Sequence, residues 1–142
     1  MKVGFTGTRL GLSGNQTKKL INLLKAGTNF TDFIHGDCVG ADEDAAELAR
    51  KQKLKLICCP PTKDEYRAFV KSDIMIEPAS YLTRNRTIVD MADYMIACPA
   101  NDSNMGGTWY TIRCAQEQDK NLIVIMPDGE IRATGPKFRP DI

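Results

Sequence analysis

The chain has 142 residues, 42% of them hydrophobic, which fits one domain and supplies a core without a metal or disulfide staple. Its 19 Lys+Arg against 18 Asp+Glu leave a formal charge of +1, without the basic excess or stripe of a protein that grips a nucleic-acid backbone, so nucleic acid is not the expected partner. Five cysteines (Cys38, Cys58, Cys59, Cys98 and Cys114) form an odd set with no C-x-x-C pair, and no signal peptide, membrane-length apolar run or lipidation motif accompanies them. These features predict a cytoplasmic chain with free thiols used as apolar filler, no membrane association and no metal site.

Lys2 to Thr6 reads as a short strand that breaks into Gly7-Thr8-Arg9. Ser13 with Gln16 three residues on forms a capping box, and the helix it opens carries Leu20, Leu23 and Leu24 at helical spacing, with Gly27 placed for a left-handed C-cap. Phe30 to Ile34 is the second strand, and Ala41 to Lys51, rich in Ala, Leu and Glu, the second helix. Leu54 to Cys59 is an apolar run of strand length stopped by Pro60-Pro61. Thr62 with Glu65 makes a further capping box that predicts a helix carrying Tyr66, Phe69 and Val70, whereas residues 71–80 show no clear period. A helix is expected over Leu82 to Met91, with Leu82, Val89 and Ala92 on one face. Tyr94 to Cys98 is a fourth strand, Gly106-Gly107-Thr108 opens a helix to about Gln118, and Leu122 to Met126 is a fifth strand ending in the turn Pro127-Asp128-Gly129. Glu130 to Ile142 reads as an irregular tail or small hairpin.

Strands that are apolar runs, alternating with helices, imply an α/β fold: a mainly parallel sheet of about five or more strands, helices on both faces, and right-handed crossovers. With no solenoid repeat, low-complexity segment or linker, residues 1–142 read as a single domain.

In such sheets ligands settle at the carboxyl ends of the strands, where loops pass into helix N-termini. Four loops here carry suitable chemistry. Gly7, Thr8 and Arg9 suit close backbone approach and charge-assisted bonds to phosphate, the alternative being a tight turn with a surface arginine. In the second loop His35, Gly36, Asp37 and Asp42 stand together; the carboxylates can stabilise the helix terminus or accept from ribose hydroxyls, and a lone histidine is more often a satisfied structural group than a base. In Arg84-Asn85-Arg86, residues 82, 86 and 89 share a face, which carries Arg86 inward, so Arg86, or Arg84 beside it, is expected to meet an anion rather than to form a solvated charge pair. In the fourth loop Gly106, Gly107 and Thr108 can cradle a phosphate on backbone N–H groups, and Trp109 can stack on a base or pack in a core or interface.

Together these loops resemble the SLOG superfamily of Rossmann-like proteins, which includes LOG-type phosphoribohydrolases, molybdenum cofactor carrier proteins, DprA-like proteins and small stand-alone bacterial and phage members. The resemblance is carried by Gly4 to Arg9, His35-Gly36-Asp37 to Asp42, Arg84-Asn85-Arg86-Thr87-Ile88-Val89, and Gly106-Gly107-Thr108-Trp109 with Thr111-Ile112-Arg113 and Ala115. It implies a Rossmann-like three-layer fold, a nucleotide-derived ligand, and a homo-oligomer, a dimer or tetramer; no cofactor is expected. LOG-type hydrolases carry P-G-G-x-G-T-x-x-E, in which the glutamate acts at the N-glycosidic bond. Here Met105 precedes Gly106, the inserted glycine is absent, and Thr111 stands in the glutamate's place. Thr111 cannot supply that charge. Arg86, Asp37 and Asp42 remain the catalytic candidates, with Asp102 as a further substitute acid. The leading expectation is a protein that senses, carries or sequesters a signalling nucleotide such as ADP-ribose or cyclic ADP-ribose; analogy extends this to phage proteins that soak up a host immune messenger. The alternatives are a nucleotide N-glycosidase and, third, DNA binding in the manner of DprA.

Overall fold

The computed structural model describes residues 1–26 and 29–135. In chain order the elements are β1 (Lys2–Gly7), α1 (Gly14–Ala26), β2 (Asp32–His35), α2 (Ala41–Lys51), β3 (Lys55–Cys58), β4 (Ile74–Met75), α3 (Tyr81–Met91), β5 (Tyr94–Cys98), α4 (Gly107–Glu117), β6 (Asn121–Ile125) and β7 (Ile131–Thr134). The strands form one sheet in the order β4-β3-β2-β1-β5-β6-β7. All neighbours pair in parallel except β6 with β7, which run antiparallel. The sheet is mainly parallel, and the fold is the three-layer Rossmann-like α/β arrangement that the alternation of elements implies.

The inner strands β1, β2, β3, β5 and β6 are largely apolar on both sides because both faces are covered. On one face Leu20, Leu23 and Leu24 of α1 and the alanines of α2 pack with Val3, Phe5, Phe33, Ile96 and Ile123. On the other, Ile88 and Val89 of α3 and Ile112 and Ala115 of α4 pack with Ile34, Ile57, Met95, Ala97 and Leu122. Strand β5 shows the two-residue period directly, with Ile96 and Cys98 in the first core and Met95 and Ala97 in the second.

The sheet order reverses between β1 and β5. From β1 the chain builds outward through β2, β3 and β4; from β5 it builds the opposite way. The loops after β1 and β5 therefore lead to helices on opposite faces and leave a crevice between them. Gly40, at φ 89°, closes the approach of the β1 loop to the start of α2: a Cβ there would collide with the Arg9 carbonyl, and the Ala41 N–H donates to Thr8 O at 2.9 Å.

The α1 capping box forms in both directions. Gln16 N–H donates to Ser13 Oγ at 3.0 Å, and Ser13 N–H to Gln16 Oε1 at 2.9 Å. Gln16 is also buried, and its amide donates to the carbonyls of Pro99 and Ile125, each at 2.9 Å. It thereby ties α1 to the ends of β5 and β6. The expected Gly27 cap lies outside the described residues.

Three expectations are corrected. The second capping box opens no helix: residues 62–70 run as irregular chain, and Ala68 N–H and Val70 N–H are drawn instead to the Asp37 carbonyl (2.7 Å) and carboxylate (2.8 Å). The aperiodic stretch holds β4, a two-residue edge strand with Ile74 and Met75 exposed. Leu82 is 54% exposed, so the buried face of α3 is Arg84, Asn85, Ile88 and Val89. In the carboxyl-terminal stretch, residues 131–134 form the hairpin alternative, β7 returning along β6.

Replacing Gln16 by alanine deletes one half of the capping box and leaves two buried carbonyls unpaired, a combined loss of about 2–3 kcal/mol. A urea unfolding free energy for Gln16→Ala lowered by that amount, with unchanged slope, is the expected result; a decrease under about 0.5 kcal/mol would contradict it.

Candidate functional site

A cleft of about 810 Å³ opens at the carboxyl ends of β1 and β5, within the range of pockets that hold small molecules. Its walls are Thr6 to Leu10 from the first loop, Cys38, Val39 and Asp42 from the second, Tyr66, the start of α3, and the segment from Pro99 to Trp109. Of the residues expected from sequence, Gly7, Thr8, Arg9, Asp42, Arg84, Asn85, Gly106, Gly107, Thr108 and Trp109 come together here. His35, Gly36, Asp37 and Arg86 do not form its walls.

The amino terminus of α4 forms one side. Gly106, at φ 93°, leads into the helix; no side chain caps it and no acidic residue stands in the first turn. The preceding loop is organised by its own polar groups: Ser103 N–H donates to Asn101 Oδ1 at 3.0 Å, Met105 N–H to Ser103 Oγ at 3.2 Å, and the Trp109 indole N–H to Asn101 O at 3.0 Å. Uncapped N–H groups at the positive end of a helix dipole favour an anion. Thr111 is fully buried and its hydroxyl donates back to Gly107 O at 2.9 Å. The position of the glutamate in LOG-type hydrolases thus carries a side chain bonded to the helix backbone.

On the opposite side Arg9 is exposed and lies 4.1 Å from the ring centroid of Tyr66. Arg84 is only 4% exposed, and its bonds are made within the protein: to the carbonyls of Gly36 and Cys59, to Asn85 Oδ1 at 2.7 Å, and to Cys38 Sγ at 3.5 Å. Gly36 permits this, since a Cβ there would sit 2.7 Å from Arg84 Nη1. Arg84, not Arg86, is the inward arginine. Arg86 is exposed beside Tyr110 and Cys114 of α4, because the buried stripe of α3 follows residues 84, 85, 88 and 89 and leaves residue 86 off that face.

Asp37 is a clamp. Fully buried at φ 60°, it accepts from Arg67 Nε at 2.8 Å and from Val70 N–H at 2.8 Å, while its own N–H donates to His35 Nδ1 at 3.1 Å. Its charge is satisfied away from the cleft, which removes it as a ribose acceptor or catalytic acid. Asp102 is paired with Arg132 of β7 at 3.1 Å and is likewise not part of the walls. His35, Asp37 and Cys58 have potential ligand atoms within 4.8 Å of one another. Both nitrogens of His35 and both oxygens of Asp37 already have partners, and burial pushes the Cys58 thiol up to about 12, so this donor set does not suit a metal.

Among the wall residues that the sequence does not single out are two tyrosines. Tyr66 lies in the segment whose capping box predicts a helix that does not form. Tyr81 stands at helical spacing before Arg84, Asn85 and Ile88, a periodicity that was legible once the phase of α3 was known.

No protein-family model matches the chain, and no curated protein matches it. Among solved structures it is similar to a molybdenum cofactor binding protein from the phototrophic bacterium Rippkaea orientalis, at 22% identity and a TM-score of 0.68 over 88% of this chain and 76% of that one. DNA processing protein A from Helicobacter pylori, described for a single-stranded DNA binding mode, matches at 21% and 0.60 over 87% of this chain. The chain covers 64% of that protein. The same protein from Streptococcus pneumoniae matches at 18% and 0.62, over 99% of this chain and 52% of the other. These likenesses show a shared fold. No helix among the described residues is long and apolar enough to cross a membrane.

Asp42 is the carboxylate on the cleft wall among the described residues. It is 5% exposed and accepts from Gly36 N–H at 3.2 Å and Cys38 N–H at 3.4 Å. Burial pushes its carboxyl from the ordinary 3.8 up to about 6, against the opposing charge of Arg84 and those two backbone bonds. His35 is shifted the other way: burial lowers it from 6.5 to about 4, so the ring stays neutral, with Nε2 against Ser72 Oγ at 2.9 Å. The two contributions to stability oppose each other. Asp42 binds its proton more tightly folded than unfolded, so stability from it is lost as pH rises from about 4 to 6; His35 binds its proton less tightly folded, so stability is lost as pH falls from 6.5 to about 4. In Asp42→Asn only the histidine slope remains. Relative to the wild type, the variant is expected to lose about 2 kcal/mol on going from pH 7 to pH 4 in urea titrations; a pH-independent difference would place the Asp42 carboxyl at its ordinary value.

Proposed function

We propose that the protein binds a nucleotide or nucleotide-derived small molecule in the cleft between β1 and β5, as a sensor, carrier or sequestering protein that leaves its ligand intact. The observation that carries this reading is the uncapped, acid-free amino terminus of α4 facing a cleft whose other wall offers Arg9 and Thr8. That pairing supplies backbone donors, a helix dipole and a cation for phosphate. Gly7, Thr8, Arg9, Gly106, Gly107 and Thr108 hold the phosphate; Asp42 and Asn85 face the sugar; Tyr66 and Trp109 offer rings for a base. ADP-ribose and cyclic ADP-ribose combine these groups and are the ligands of first choice. The near-neutral charge supports a small ligand over a nucleic-acid backbone. All five cysteines are free, which suits the reducing cytoplasm.

A second reading, nucleotide N-glycosidase, draws support from Asp42. It is the acidic residue on the cleft wall, and its carboxyl, near 6, is suited to give up or take a proton close to neutral pH. Against turnover, Thr111 is turned to the helix backbone and Asp37 and Asp102 are committed to arginines.

Thermal shift with AMP, ADP-ribose, cyclic ADP-ribose and a single-stranded oligodeoxynucleotide, followed by chromatography of the recovered ligand, separates these readings. A nucleotide that raises Tm and returns intact is the expected outcome. Arg9→Ala should weaken it about tenfold or more while changing the ligand-free Tm little, since Arg9 is exposed. Release of free base would make the protein a glycosidase, a shift with the oligodeoxynucleotide alone would favour the DNA reading, and no shift with any probe would sink the proposal.

A further inference from the structure

Asn85 lines the cleft from α3, and only 9% of it is exposed. Its Oδ1 accepts from Arg84 Nε at 2.7 Å. A guanidinium N–H only donates, so this bond fixes which way round the amide lies: Nδ2, with its two N–H groups, is directed away from it. Nδ2 makes no hydrogen bond among the described residues. It is not sealed in the protein either, since the one fully buried side-chain polar atom without a partner among those residues is the Tyr81 hydroxyl. The amide donors of Asn85 therefore stay open to the cleft that the residue lines.

Gly107, the first residue of α4, shows where Nδ2 is aimed. A Cβ there would lie 3.9 Å from Nδ2, with the space around it otherwise open. Tyr110 N–H, donating to Gly106 O at 2.9 Å, makes the first backbone bond of α4, so the N–H groups of Gly107, Thr108 and Trp109 have no backbone partner. No side chain caps them, and no acid stands in that turn. Donors from two helices thus meet across one gap that the missing Cβ of Gly107 keeps clear. Converging N–H groups at the positive end of a helix dipole hold an oxyanion.

We propose that a phosphate oxygen of the ligand sits between Asn85 Nδ2 and the first turn of α4 and accepts from both, with Arg84 as the positioning residue that holds the donor end of the amide toward the gap. The identity of the ligand rests on the nucleotide reading of the cleft. Asn85 is bonded to Arg84 at one end and lies beside Gly107 at the other, so it stands where the sugar side and the α4 side join, and the oxygen belongs to the phosphate next to the sugar. The site calls for an asparagine. An aspartate would serve Arg84 equally well, as an ion pair, but would put a carboxylate oxygen where the phosphate belongs.

The test follows the side-chain amide NMR signal of Asn85, assigned by its loss in Asn85→Asp, while AMP, ADP-ribose, adenosine and inorganic pyrophosphate are titrated into the isotope-labelled protein. Affinities and ligand-free Tm are measured beside it for Asn85→Asp and Gly107→Ala. AMP should shift the signal. Asn85→Asp should weaken AMP by about tenfold or more without lowering the ligand-free Tm, because the carboxylate keeps the bond to Arg84. Gly107→Ala, a neutral change at a helical position that fills the gap beside Nδ2, should also weaken AMP and leave the ligand-free Tm intact. An asparagine that served Arg84 alone would give an unmoved signal and unchanged binding in Gly107→Ala; either result, with AMP bound, overturns the proposal and leaves the nucleotide reading standing. A shift produced equally by adenosine overturns it too, since the amide would then face the sugar alone. If pyrophosphate binds and moves the signal while neither nucleotide binds, the oxyanion seat stands and the nucleotide reading fails. If no probe binds, both fail.

Discussion

The buried guanidinium of Arg84 is the contact on which the geometry of the cleft depends. A charge that is 4% exposed has to be solvated by the protein, and here the carbonyls of Gly36 and Cys59 and the side chain of Asn85 do so. Those partners belong to three different parts of the chain: the ends of β2 and β3 and the first turns of α3. Satisfying one cation therefore locks α3 to the carboxyl edge of the sheet. Gly36 has no Cβ to obstruct the approach, and Asp42 supplies nearby negative charge. Arg84 is thus a positioning residue, which frees Arg9 to be the exposed cation of the site.

A second clamp works beside it. Asp37 gathers Arg67, Ala68 and Val70 onto the second loop and so brings Tyr66 to the cleft, where it meets Arg9. Several of the acidic and basic residues that look functional in the sequence are used in this way, as ties between loops that no regular hydrogen-bond ladder joins. Once they are accounted for, and with Arg84 bonded within the protein, the charged groups left on the cleft wall are the exposed Arg9 and the buried Asp42, beside the uncapped terminus of α4. That small set suits recognition, where a few well-placed groups fix orientation and the remaining walls exclude water.

The structural neighbours are described as binding different things, molybdenum cofactor and single-stranded DNA, on similar folds. A switch point between β1 and β5 explains how: the sheet guarantees a crevice, and the loops that wall it are free to change. The chemistry of the cleft is therefore local: Thr111 bonded to Gly107 O and Asp37 bonded to Arg67 belong to its loops and helix starts rather than to its topology.

Local order was legible in the residues. The alternation of apolar strands with helices, the Ser13–Gln16 box and the bounds of α2 and β5 depend on neighbours a few positions apart, and that information lies within any short window. The loops after β1 and β5 could be placed at the cleft for the same reason, since strand ends and helix starts mark them. The phase of α3 could not. Leu82, Val89 and Ala92 describe one face and Ile88, Val89 and Ala92 another, and only packing against the sheet chose the second, which buried Arg84 and exposed Arg86. Residues 62–70 carry a helix signal that lost to bonds from Asp37, some thirty positions away in the chain. The sequence alone determined most of the elements and the edge of the sheet where a ligand belongs; tertiary structure decided the course of residues 62–70 and which charged groups face the cleft, because a buried charge goes wherever the folded chain provides partners.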